Sequence, residues 1–219
     1  MLILAIDTAG IDCSAAVYDS AAGTVLGSVV DMIGKGHAER LMAAIDEALA
    51  EAGRSLSDIG RIAVVVGPGS FTGIRVGVAA ARGLALALGV EAVGVTTLEA
   101  LAAVHMESGS SVPVVAAMDA KRGELYVQAF APDGRPLGPP EALPAEAAAA
   151  LASSLSAEVT GSGRPLVLGA ETSSGPDRFD ISAVARLGSR KAPEDSRPKP
   201  LYLRGPDARP QTGYALARA

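Results

Sequence analysis

Residues 2–8 (Leu-Ile-Leu-Ala-Ile-Asp-Thr) are an apolar run with a polar end, which predicts a buried strand. Residues 12–19 and 25–33 repeat the pattern after short turns, the first carrying Gly10 and the second strand interrupted by Gly27. Three strands joined this closely predict an antiparallel meander. The period then changes. Ala38, Leu41, Met42, Ile45, Ala48, Leu49 and Ala52 recur at helical spacing, with Gly53 as the stop. Residues 61–66 are a β-branched apolar run, hence a central strand. A glycine-rich loop at 67–73 leads to a helix over 74–88 closed by Gly89, then a strand over 91–95. Thr96 followed by Glu99 forms a capping box that opens a helix running to about residue 107. The order β-β-β-α-β-α-β-α is a meander followed by crossovers, as in ribonuclease-H-like sheets.

A Gly/Ser patch at 108–111 marks a boundary, which divides the chain into subdomains at 1–108 and 109–219. Beyond it, strands are expected at 112–118 and 124–130, joined by a tip over 119–124, with a turn at 132–134. A helix over 144–155, a short strand over 165–170 and a helix over 181–187 complete the pattern, with less order expected after Ser189.

Composition removes several classes. A length of 219 residues suffices for a core without disulfides or metal. A single cysteine, Cys13, permits neither an internal disulfide nor a cysteine zinc cluster, and points to a reducing compartment. The two histidines, His37 and His105, are too far apart for a short metal motif. Residues 1–7 lack the basic start of a signal peptide, and no apolar run is long enough to be expected to span a bilayer. The expectation is a soluble cytoplasmic chain without membrane contact. The net charge of −5 is uneven: residues 178–219 alone carry nine bases against four acids. The acidic body argues against autonomous nucleic-acid binding, and the basic, Pro-rich tail reads as a solvated segment.

The loop Gly67-Pro68-Gly69-Ser70-Phe71-Thr72-Gly73 is the sharpest feature. Between a strand and a helix it would present backbone N–H groups to a phosphate. It lacks the Gly-Lys-Ser/Thr of a Walker loop, and Thr72 stands where a dinucleotide fingerprint has its third glycine. The other reading is a tight turn that brings helix against sheet. The following helix is apolar almost all round, with Gly73, Gly77, Ala80 and Leu84 as a mostly small-residue stripe. Such a helix must be buried all round, so part of the helix pair 38–52 and 74–88 is expected to face another subunit, unless the second half covers it. Asp7 ends the first strand, either as a magnesium-holding carboxylate or as an ordinary turn acid. Ser70 and Thr72 have no adjacent histidine and no nucleophile-elbow context. Cys13 reads as a core thiol and His37 as surface or interface.

These residues resemble a known family. Residues 67–77, continuing to Arg82-Gly83-Leu84-Ala85, look like the signature of the TsaB (YeaZ) family. The opening Ile3-Leu4-Ala5-Ile6-Asp7-Thr8-Ala9 is similar to that family's start, and His37-Ala38-Glu39-Arg40-Leu41 to the start of its first helix. Thr96-Thr97-Leu98-Glu99-Ala100-Leu101-Ala102 and Pro200-Leu201-Tyr202-Leu203-Arg204 resemble its later elements. The resemblance implies an α/β, actin/Hsp70-like ATPase fold of two ribonuclease-H-like βββαβα-type halves, the second reduced. It implies a non-catalytic partner, without cofactor, that binds and activates a TsaD-like transferase making threonylcarbamoyladenosine beside the tRNA anticodon. A TsaE-like ATPase would join as a third member, tRNA would be met only through the complex, and a homodimer is the alternative pairing. TsaD relatives carry a paired-histidine metal motif, whereas here His37 is followed four positions later by Leu41, which removes iron or zinc chemistry. The helix pair would form the contact, with His37, Arg40, Leu41, Ile45, Gly73, Ile74, Gly77, Val78 and Ala81 as the partner-binding set. Asp7, Thr8, Gly67, Gly69, Ser70 and Thr72 would remain as vestiges of a nucleotide site. The competing readings are a phosphotransferase or ATPase using the 67–73 loop, a protease, and an RNA-binding module in the 178–219 tail.

Overall fold

In the computed structural model, which describes residues 1–194 and 196–204, the first apolar runs pair as a meander. β1 (Leu2–Asp7), β2 (Asp12–Asp19) and β3 (Thr24–Met32) are antiparallel neighbours. After α1 (His37–Glu51), β4 (Ile59–Val65) lies parallel to β1. α2 (Phe71–Leu88) then crosses over to β5 (Glu91–Val95), parallel to β4. The strand order is β3-β2-β1-β4-β5. Burial of β1, β2 and β4 is nearly continuous, as expected for strands covered on both faces.

The capping box at Thr96 and Glu99 forms and opens α3 (Thr97–Glu107). Next come β6 (Val114–Asp119), β7 (Glu124–Phe130), β8 (Glu141–Pro144), α4 (Ala145–Ser154) and β9 (Glu158–Thr160). Their order, β8-β7-β6-β9, is that of the first sheet without its fifth strand. Directions match as well: β6 is antiparallel to β7 and parallel to β9. The second half is therefore a reduced copy of the first.

Two segments differ from the sequence expectation. Residues 165–170 do not form a strand: α5 (Arg164–Val167) begins there, with Pro165 in its first turn, and the fourth strand is β9 upstream. A proline has no N–H for a ladder but fits the first helical turn. The division at residue 108 also fails as a linear boundary. α6 (Ile181–Arg190) returns to the first sheet, where Ile181, Val184 and Ala185 join its core. Gly188 allows that approach, since a Cβ there would lie 2.4 Å from the Ala63 Cβ. Arg61 then caps the helix end, its Nη1 donating to the carbonyls of Gly188, Ser189 and Lys191 at 3.1, 3.3 and 3.1 Å. Residues 196–204 continue as an extended strap, in which Leu201 N–H donates to the Val66 carbonyl at 2.8 Å. Residues 205–219 of the basic tail lie outside the described residues.

The layers follow. α1 and α2 cover one face of the first sheet, while α6 covers the other. α3 packs on one face of the second sheet through Leu98, Leu101 and Phe130, and α4 and α5 cover its opposite face. α2 has the length and apolar content to cross a bilayer, but its buried stripe, Gly73, Ile74, Gly77, Val78, Ala81 and Ala85, is seated on the sheet.

Candidate functional site

The glycine-rich loop is a packing device. Ser70 is the N-cap of α2, its hydroxyl accepting from Gly73 N–H at 3.2 Å. The helix therefore begins at Phe71, three residues before the periodicity indicates. The Ser70 N–H donates to the Ala9 carbonyl at 2.7 Å, and the Thr8 hydroxyl donates to the Gly73 carbonyl at 2.7 Å. Glycine is required by contact rather than by torsion: a Cβ on Gly73 would lie 1.9 Å from the Thr8 carbonyl oxygen, and one on Gly69 2.3 Å from that of Ala9. Gly67 is the exception, with a left-handed φ of 100°. Its carbonyl accepts from Thr97 N–H, and the Thr97 hydroxyl donates to the Pro68 carbonyl, so α3 is fastened to the same loop.

Among the expected nucleotide vestiges, Gly67 and Thr8 are buried, Thr8 completely, and the loop lies directly on the β1–β2 turn. Asp7 is buried too. Its Oδ1 accepts from Ala9 N–H at 2.8 Å, and burial, reinforced by the nearby Asp12 charge, pushes its pKa up to about 6. Gly69, Ser70 and Thr72 are exposed, on the outer side of the turn. Among the described residues no three His, Cys, Asp or Glu side chains gather as a metal site.

The partner-binding set requires correction. Leu41, Ile45, Ile74, Val78 and Ala81 all face the chain's own sheet, each 3% exposed or less. Gly73 and Gly77 are covered by the β1–β2 turn and β4. His37 is buried rather than at the surface, its Nε2 3.2 Å from the Asp12 carbonyl oxygen. Arg40 joins α1 to β3: its Nε donates to Asp31 at 2.5 Å, and its two Nη atoms grip Glu47 at 2.8 and 2.6 Å. The physical reason is that an amphipathic helix turns its largest apolar residues to the sheet, leaving the neighbouring positions outward. The outward positions of the pair include Met42 on α1 and Leu86 on α2, 47% and 85% exposed, and Ala79, Arg82 and Gly83 on α2 are exposed as well. Gly83 has open space where a side chain would stand.

Sequence reasoning also missed a second group. Arg75 on α2 lies over the Phe71 ring, 3.7 Å from its centroid, and donates from Nε to the Tyr202 hydroxyl at 2.8 Å. The only legible signal was the Pro200–Arg204 stretch, whose position against α2 no local pattern reveals.

Two ribonuclease-H-like sheets in one chain, the second lacking its last strand, define a reduced member of the actin/Hsp70-like class. Known proteins narrow this. The family model described as TsaD, tRNA N6-adenosine threonylcarbamoyltransferase, matches residues 24–162. The tRNA threonylcarbamoyladenosine biosynthesis protein TsaB of Escherichia coli is 40% identical over 126 residues, 58% of this chain and 53% of that protein. An uncharacterized protein of Mycobacterium tuberculosis is 33% identical over 211 residues, 95% of this chain and 94% of its own. Among crystal structures, a Pseudomonas aeruginosa protein described as similar to the peptidase YeaZ superposes with a TM-score of 0.76, at 28% identity, over 93% of this chain and 99% of that one. YeaZ from Pseudomonas aeruginosa gives 0.72 at 30% identity, covering 86% and 90%. The chain belongs to the TsaB (YeaZ) family. Its match spans about half the length of the TsaB protein of Escherichia coli.

Proposed function

We propose that this chain is a non-catalytic subunit that binds and activates a TsaD-like threonylcarbamoyl transferase in forming threonylcarbamoyladenosine in tRNA next to the anticodon. A TsaE-like ATPase completes the complex, tRNA is met only through it, and self-pairing to a homodimer uses the same face. The observation that carries the reading is the outward face of α1 and α2. Leu86 stands almost fully in solvent beside Gly83, whose bare backbone permits a facing helix to approach closely. A mid-helix glycine at an exposed position costs about 1 kcal/mol relative to alanine, which is understandable where another chain is seated. The family membership supports the identity of that chain.

The test is co-purification with the TsaD-like protein of the same organism, comparing wild type with Met42→Asp plus Leu86→Asp. Both positions are exposed, so circular dichroism and the melting temperature should be unchanged. The complex should be lost, and transfer to tRNA with it. A complex indifferent to both charges would move the contact elsewhere and reject the proposal.

A further inference from the structure

The second half has an open-mouthed cavity of about 190 Å³ between β7, β8 and the end of α4, to which neither the 67–73 loop nor the α1–α2 face contributes a residue. Val127, Ala129, Leu137, Leu143, Leu151 and Leu155 make most of its wall. An apolar cavity of about 150 Å³ stays dry and takes up benzene, so this space suits a guest of a few carbon atoms. Its polar groups come from a break in the sheet edge. Leu137 N–H donates to the Ala129 carbonyl at 2.9 Å and Glu141 pairs with Val127, so residues 138–140 together stand opposite Gln128. Gln128 is buried, 7% exposed, and its Nε2 donates to the Gly138 carbonyl at 3.0 Å. That bond fixes the amide, because a carbonyl accepts only from the N–H side. The Oε1 is then left buried with no donor. Residues 139 and 140 are prolines, which bring no N–H to it. Glu141 is exposed in the same wall, and its carboxylate has no hydrogen bond or ion pair among the described residues. The cavity therefore presents acceptors, has no cation in its wall, and includes a buried acceptor that folding alone leaves unmet.

We propose that this cavity binds a small aliphatic amine in its ammonium form. The alkyl chain lies against Leu143, Leu151 and Leu155, and the ammonium donates to Gln128 Oε1 and to the Glu141 carboxylate. An ammonium carries three donors and no acceptor, the complement of this wall. An alcohol of the same length supplies one donor and no charge, and a carboxylate is repelled by Glu141. The site lies wholly in the second half and needs no partner chain, so it stands or falls independently of the transferase reading.

Nitrogen–proton correlation NMR of the labelled full chain, titrated with n-butylammonium chloride, provides the test, with sodium chloride and n-butanol as controls. Butylammonium should shift the Ala129, Gly138 and Leu151 amides saturably. Butanol should bind about tenfold more weakly or worse, the loss expected for one charge-assisted hydrogen bond. Glu141→Gln changes an exposed position, so the melting temperature should hold while the affinity falls about tenfold. Gln128→Met keeps the length of the side chain and removes the acceptor, and should lower the affinity as well. If that variant melts early because the Gly138 bond is lost, Glu141→Gln alone decides. No shift of these amides beyond the sodium chloride control at millimolar concentration, equal binding of butanol, or an affinity indifferent to Glu141→Gln overturns the proposal.

Discussion

Gly73→Ala should destabilise the chain by about 3 kcal/mol or more, read as a fall in the urea midpoint at unchanged slope. The added Cβ would lie 1.9 Å from the Thr8 carbonyl oxygen, and this neighbour is backbone, so it cannot rotate away. Thr8 is itself fixed by its own hydroxyl bond to the Gly73 carbonyl. Relief therefore requires α2 to move off the sheet, which opens gaps around Ile74 and Val78 in the core. Gly83→Ala, ten positions further along the same helix, meets nothing within 4 Å. It should stabilise the isolated chain by about 1 kcal/mol, since alanine is the better helix former. Opposite signs at two glycines of one helix separate close approach from helix propensity. Two effects of the same sign would defeat the packing account of the loop. The same Gly83→Ala variant should bind the transferase less well if a facing helix is seated there.

Asp7→Asn should stabilise the chain at pH 8 and leave it unchanged near pH 4. Burial raises the folded-state pKa of Asp7 from the ordinary 3.8 to about 6. The folded chain thus holds a proton that the unfolded chain has released, and stability from this group declines as pH rises from about 4 through 6. Above that range the cost of the buried charge is constant, about 3 kcal/mol for a shift of two units. Asparagine removes the charge and keeps an oxygen to accept from Ala9 N–H, the contact made now at 2.8 Å. The gain should reach about 6–12 °C in melting temperature at pH 8. A gain equal at both pH values would show that desolvation of the carboxylate is not its source.

Strand and helix order in the first half was legible because each element carries its own period. The meander, the β4-α2-β5 crossover and the Thr96–Glu99 capping box all appear where the pattern places them. The second half was harder to read for a physical reason. β8 and β9 have four and three residues, too few to display alternation, and they are defined by pairing with β7 and β6. Residues 165–170 are apolar enough for a strand, but Pro165 and the turn at Gly163 start a helix that buries Val167 against the second sheet. The candidate site divides the same way. The 67–73 loop and the helix pair were found as segments, while the choice of outward residues was not.

By itself the sequence determined the period of each long element, the helix start marked by Thr96, the absence of an internal disulfide, and the family resemblance in residues 67–77. These are local properties of the chain and of its composition. Only the tertiary structure decided that Leu41, Ile45, Ile74, Val78 and Ala81 face inward and that Met42 and Leu86 face out. A helix that is apolar all round has no preferred face until backbone contact selects one. Here Gly73 and Gly77, seated against Thr8 and β4, make that selection. Tertiary structure likewise brought Tyr202 to Arg75 and Arg204 to the β6–β7 tip across 127 and 80 positions of chain, separations over which no sequence period carries information.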